Sequence, residues 1–152
     1  MKKSFRMQKV SLVAPIAIFG STILLLVGLA GAFSYVLMGS RTVVVTDTAV
    51  KADGTVYSTT ISRSSIDTAN VKIVDLEKTP EFQPDGKKDG FGLPGLKEGW
   101  YELKNGKKAF LMLTDWSKVV VVPTSDYWLL ISADHPGAEL LITNLKMTPK
   151  AM

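Results

Sequence analysis

The pattern of apolar and polar positions divides the chain into two unlike parts. From Val10 to Ser40 no side chain is charged, and Ile16, Ile18, Phe19, the block from Ile23 to Val27, Leu29, Phe33, Val36 and Leu37 fill the run. A stretch of about 20 apolar residues, rising roughly 1.5 Å each, crosses a hydrocarbon core. The run therefore predicts one tilted transmembrane helix over residues 10–38, and it is too short for a helical hairpin. Past Ser40 the pattern changes to short β-type segments broken by turn signals. Thr42 to Val50 is β-branched and apolar, Ala52-Asp53-Gly54-Thr55 supplies an Asp-Gly turn, and Val56 to Ser62 resumes strand character. Asn70 to Leu76 reads as a third strand. Residues 77–99 hold Pro80, Pro84, Gly86, Gly90, Gly92, Pro94, Gly95 and Gly99, which predicts a long connection.

Trp100 to Lys104, the pair Asn105-Gly106 and Lys107 to Thr114 predict a hairpin with a type I′ turn. Asp115-Trp116-Ser117 turns the chain into Lys118 to Val122, Pro123 ends that strand, and Tyr127 to Ser132 forms the last. The period then lengthens: Ala138, Leu141, Ile142 and Leu145 fall at i, i+3, i+4 and i+7, the stripe of an amphipathic helix. Ser132 or Asp134 is placed to cap it, Pro136 fits its first turn, and Thr148-Pro149 ends it. About seven strands followed by one helix predict a mainly β fold, a bent antiparallel sheet or partly open barrel with the helix closing one end.

Composition changes this picture in three ways. The 152 residues contain no cysteine, which excludes a disulfide scaffold, a thiol nucleophile and any Cys-ligated metal. Of 18 basic residues, Lys2, Lys3, Arg6 and Lys9 precede the apolar run, leaving 14 against 14 acidic residues beyond it. The net charge of +4 thus belongs to the N-terminal tail, and the positive-inside bias places residues 1–9 in the cytoplasm and residues 39–152 across the membrane. A neutral domain lacks the basic field that a nucleic-acid binder uses. Ala30-Gly31-Ala32 has the small-x-small form of a signal peptidase site, so cleavage after Ala32 is the competing reading. The apolar stretch before that site is longer than the usual h-region of about 7–15 residues.

The motifs Gly90-Phe91-Gly92-Leu93-Pro94-Gly95, Gly99-Trp100-Tyr101, Lys104-Asn105-Gly106-Lys107-Lys108-Ala109-Phe110, Pro123-Thr124 and Leu129-Leu130-Ile131-Ser132 resemble the bacterial pleckstrin-homology (PH) like domains of small membrane-tethered proteins. Tyr57 to Ile61, Ile66 and Val71 to Leu76 match the earlier strands of that family, and the likeness covers about residues 43–147. It implies a seven-stranded bent sheet capped by a C-terminal helix. It also implies a bacterial cytoplasmic membrane, with the N-terminus inside and the domain periplasmic or extracellular. Phosphoinositide-binding members carry a basic cluster in the first hairpin, whereas here that hairpin holds only Lys51 beside Asp53.

Candidate chemistry is sparse. Gly90-x-Gly92-x-x-Gly95 matches the dinucleotide fingerprint in letters, but Pro94 interrupts it and a strand follows where a helix is required. His135 is the single imidazole, and no Gly-x-Ser-x-Gly elbow occurs. Asp85 and Asp89 flank Lys87 and Lys88 in a mixed-charge segment that offers no deep cleft for acid–base work. The residues read as candidate partner or membrane contacts are Trp116, Phe91, Lys87 and Lys88. Trp116 either anchors a contact or folds over the sheet edge, and Phe91 either lines a groove or plugs the barrel mouth. The expectation is a single-pass, noncatalytic binding or scaffolding module without cofactor or metal, recognising a protein, a peptide or the membrane surface. The alternatives are an accessory subunit acting through its spanning helix and a hydrolase.

Overall fold

The computed structural model describes residues 13–135 and 137–146; the basic tail, Pro136 and the Thr148-Pro149 stop lie outside the described residues. The chain divides between Met38 and Gly39 into two compact units. The first is helix α1, Val13–Met38. Its segment Ala17–Tyr35 has a mean hydropathy of 2.0. Apolar side chains cover it on every side, a composition that water does not support and a bilayer does. By length and composition α1 can cross a membrane.

The second unit is mainly β. Among the described residues it holds β1 (Thr42–Val45), β2 (Ala49–Asp53), β3 (Ser58–Ser62), β4 (Lys72–Val74), β5 (Pro84–Leu93), β6 (Leu96–Leu103), β7 (Lys108–Leu113), β8 (Val119–Pro123), β9 (Trp128–Ser132) and helix α2 (Ala138–Lys146). They form a three-stranded sheet, β1-β2-β3, and a six-stranded sheet in the order β4-β8-β9-β7-β6-β5. Nine strands in two sheets replace the single sheet of about seven. The pairing is antiparallel throughout except between β7 and β9, which run parallel.

The extra strands have local causes. Thr42 to Val50 breaks at Thr46, whose hydroxyl donates to the Ala49 carbonyl at 2.9 Å and accepts from the Ala49 N–H at 3.0 Å. That threonine turn separates β1 from β2. The predicted long connection at 77–99 contains most of a hairpin, β5 and the start of β6, joined by Pro94-Gly95 with Leu93 opposite Leu96. Its glycines are ladder positions. Gly90 pairs with Gly99, and a Cβ on Gly99 would lie 2.5 Å from the Gly90 Cα, so the two backbones pack closer than side chains permit.

The Asn105-Gly106 turn is also of another type. Only Gly106 has positive φ (+76°), and its N–H bonds the Leu103 carbonyl at 2.8 Å. This is a type I turn closed by a left-handed glycine, whereas type I′ needs positive φ at both positions.

The apolar runs of β7, β8 and β9 are buried on both faces, as near-continuous runs in central strands are. One face carries Phe110, Met112, Val120, Val122, Leu129 and Ile131, and it packs with Val43, Val50 and Ile61 of the small sheet and with Ala138, Leu141 and Leu145 of α2. The periodicity of α2 is thus as expected, but its cap is not. Ser132 stays in β9, and the first helical bond runs from the Leu141 N–H to the carbonyl of Gly137, at φ +90°. The opposite face, with Leu103, Leu111, Leu113, Val121 and Leu130, is covered by Leu76, Phe82 and Trp116.

Inserting β9 between β7 and β8 forces the β7–β8 connection across the end of β9. The fully buried Ser132 hydroxyl secures that crossing. It accepts the N–H groups of Thr114 and Asp115, each at 2.9 Å, and donates to the Asp115 carbonyl at 2.6 Å. Removing it strands buried backbone groups, each of which costs about 1–3 kcal/mol. Ser132→Ala is therefore expected to lower unfolding stability by about 2 kcal/mol, read from urea denaturation followed by tryptophan fluorescence.

Candidate binding surface

Three of the four candidate residues share β5, an edge strand of the large sheet. The register between β5 and β6 shifts between Lys87 and Asp89, so Lys88 is the extra residue of a β-bulge. Its ammonium lies 2.7 Å from Glu102 Oε2, a pairing that raises the Lys88 pKa above the ordinary lysine value. Lys87 stays exposed opposite Tyr101. The two neighbours serve different hollows. Lys88 lines one of about 340 Å³ with Tyr101, Glu102, Gly106 and Lys108, and Lys87 lines another of about 250 Å³ with Asp85, Gly92 and Lys97.

Phe91 is half-buried, its ring centroid 6.4 Å from that of Tyr57, and its carbonyl accepts the Tyr101 hydroxyl at 2.7 Å. Trp116 belongs to the β7–β8 turn and lies half-buried over the second core face, with the Lys97 ammonium 5.8 Å from its ring. The structure thus gathers Lys87, Lys88 and Phe91 on one edge, while Trp116 covers core.

Several polar groups were not singled out from the sequence. Lys108 holds its ammonium 4.4 Å above the Trp100 ring, which meets Phe110 and Tyr127 edge-on at 5.2 and 4.8 Å. Glu98 is fully buried. Its Oε2 accepts Arg41 Nε at 3.1 Å, and its Oε1 accepts the backbone N–H groups of Val56 at 2.7 Å and Tyr57 at 2.9 Å. The signal was present in β6, where Glu98 occupies the same alternation as Leu96 and Trp100, at an inward position. A carboxylate there requires a cation and backbone donors.

His135 lies before α2, half-buried. Burial pushes its imidazole below the ordinary value near 6.5; Asp134 pulls the other way, and Arg41 adds to the depression. Thr114 Oγ1 stands 3.1 and 3.2 Å from the Asp134 carboxylate oxygens and 3.4 Å from His135 Nε2. Of the two acceptors, the Asp134 carboxylate lies nearer to the Thr114 hydroxyl. Asp89 accepts the Tyr57 hydroxyl at 3.0 Å, which raises the Tyr57 pKa. Among the described residues no three metal-capable side chains converge.

Comparison with known protein families, curated proteins and solved structures finds no match to this chain.

Two outcomes follow from these polar groups. Glu98→Gln keeps an oxygen for Val56 and Tyr57 but removes the charge that faces Arg41. Breaking a buried pair in this way costs about 3–5 kcal/mol, measurable as a lower urea midpoint. The depressed His135 pKa means that the unfolded chain takes up a proton before the folded one does. Its contribution to stability is complete above about pH 6.5 and is lost as pH falls below that value toward the folded pKa. Denaturation midpoints measured from pH 7.5 to 5 are expected to fall less steeply in His135→Gln than in the parent.

Proposed function

We propose that the chain is a single-pass membrane protein, N-terminus in the cytoplasm, whose β unit is a noncatalytic binding or scaffolding module on the far side of a bacterial cytoplasmic membrane. Helix α1 carries the reading, because a 26-residue helix apolar on all sides has a large energetic preference for hydrocarbon. The basic residues Lys2, Lys3, Arg6 and Lys9 against Arg41 and Lys51 support the orientation. The motifs that resemble PH-like domains all fall in the β unit and favour recognition over catalysis. Exposed backbone at a sheet edge is one route by which such a module takes a partner strand, with main-chain hydrogen bonds giving affinity. Tethering confines the module to a thin layer at the membrane, so weak contacts gain from local concentration.

The test is fractionation of cells expressing the full chain with a C-terminal tag. The protein is expected to stay with membranes through alkaline carbonate extraction, at full length, and its tag to be digested by protease added outside spheroplasts. Release into the soluble fraction, a product shortened by cleavage after Ala32, or a protected tag would overturn the proposal.

A further inference from the structure

Among the described residues, the two sheets of the β unit end in four edge strands, and three of them are guarded. β4 is three residues long. β5 carries Asp85, Lys87, Lys88 and Asp89 and two register shifts, the charges and bulges that blunt an edge against further pairing. β1 turns the backbone of Val43 outward, but the entry to α2 closes over it: a Cβ on Gly137 would fall 2.7 Å from the Val43 carbonyl oxygen. β3, with the sequence Ser58-Thr59-Thr60-Ile61-Ser62, has no charge, no proline and no bulge.

The hydrogen-bond phase of β3 follows from its two ends. Beyond one end the Gly54 N–H bonds the Tyr57 carbonyl, and beyond the other the Arg63 N–H bonds the Thr48 carbonyl, both at 2.9 Å. Antiparallel ladders alternate, so Thr59 and Ile61 direct their backbone groups to β2 and Ser58, Thr60 and Ser62 direct theirs to the open edge. Ser58, Thr60 and Ser62 are exposed. Among the described residues, the backbone of Ser58 and Thr60 makes no hydrogen bond outside its own sheet. The Ser62 carbonyl accepts the Ser65 hydroxyl at 2.8 Å, which leaves its second lone pair.

We propose that β3 is the docking edge for a second copy of this chain, the two β3 strands pairing antiparallel about a two-fold axis at Thr60. In that register Thr60 meets Thr60, Ser58 meets Ser62 of the second copy, and every outward N–H and C=O finds a partner. Thr59 falls opposite Ile61, a pairing of β-branched residues that suits a sheet. Arg63, the first charge beyond the strand, falls opposite Tyr57 of the second copy, so the arginines lie at opposite ends and no like charges face each other. The ground for a copy of the chain as the partner is that in this register each outward group meets its own counterpart and no like charges face each other, and a two-fold contact closes on itself. The inference names a partner for the module and rests on the membrane reading only in that two copies share one bilayer.

The chain has no cysteine, so single cysteines report the contact cleanly. Residues in a hydrogen-bonded antiparallel pair stand about 5.5 Å apart at Cα, inside the roughly 4.4–6.8 Å range of a disulfide. The full-length Thr60→Cys protein in liposomes under mild oxidation is expected to give a covalent dimer about tenfold faster than Asp47→Cys, a control in the exposed β1–β2 turn, at equal density. Mixed Ser58→Cys and Ser62→Cys chains are expected to cross-link with each other in preference to either alone. Adding Thr60→Pro to that mixture removes an outward N–H and leaves the β2 ladder intact, and it is expected to bring cross-linking down to the Asp47→Cys level. Thr60→Lys gives the same readout if the proline variant does not fold, as judged by circular dichroism. Equal rates at Thr60 and Asp47, no Ser58–Ser62 preference, or no effect of either Thr60 substitution overturns the dimer. Protein found outside the liposomes counts against the anchor instead; the same cross-linking comparison made on that fraction in solution still decides the β3 pairing.

Discussion

The Glu98 carboxylate is the constraint on which the β unit depends. Leaving water is costly for a carboxylate, and this one recovers the cost only by gathering Arg41, which precedes β1, and the N–H groups of Val56 and Tyr57, which lie between β2 and β3. A single side chain of the large sheet thereby holds both the entrance and the turn of the small sheet. Gly54 belongs to the same arrangement, since a Cβ there would sit 2.5 Å from the carboxylate. With the small sheet held in place, Val43, Val50, Ala52 and Ile61 close over one face of the large sheet. Apolar burial supplies the attraction and has little direction; the carboxylate's hydrogen bonds set the register.

The large sheet is covered on both faces by unequal means. On one side are a sheet and a helix. On the other are Leu76 and Phe82 from an irregular segment, and Trp116 from a turn. This second cover explains why Trp116, conspicuous in the sequence, is spent on the core. It also explains the polar stitching nearby, where the Gln83 amide donates to the Leu76 carbonyl at 2.6 Å and Lys104 reaches Gln83 Oε1 at 2.8 Å. An irregular segment must satisfy its backbone groups with side chains, because no ladder does so for it.

The strand edges differ in how open they are to further pairing. Charge and bulges on β5, the short span of β4 and the cover over β1 leave β3 as the regular, uncharged edge of the described β unit. The same bulge that guards β5 turns Lys87 and Lys88 toward different hollows, each with an acidic residue in its lining. Mixed charge of this kind favours solubility and selectivity over a single strong anion or cation site.

What the sequence determined by itself was local and periodic. The apolar run that becomes α1, the buried stretches Leu111-Met112-Leu113, Val119 to Val122 and Leu129 to Ile131, and the stripe of α2 are each set by neighbours within a few residues, so hydropathy alone exposed them. Lys87, Lys88 and Phe91 could be marked as candidates, but their common strand could not, because glycine and proline read as punctuation unless the opposite strand is known. Only the tertiary structure decided that Gly90 would face Gly99, that β9 would enter between β7 and β8, and that Glu98 would be buried against Arg41. Each of these depends on a partner brought close by folding; the alternation of β6 puts Glu98 at an inward position, but the cation and the backbone donors that meet it come from segments remote in sequence.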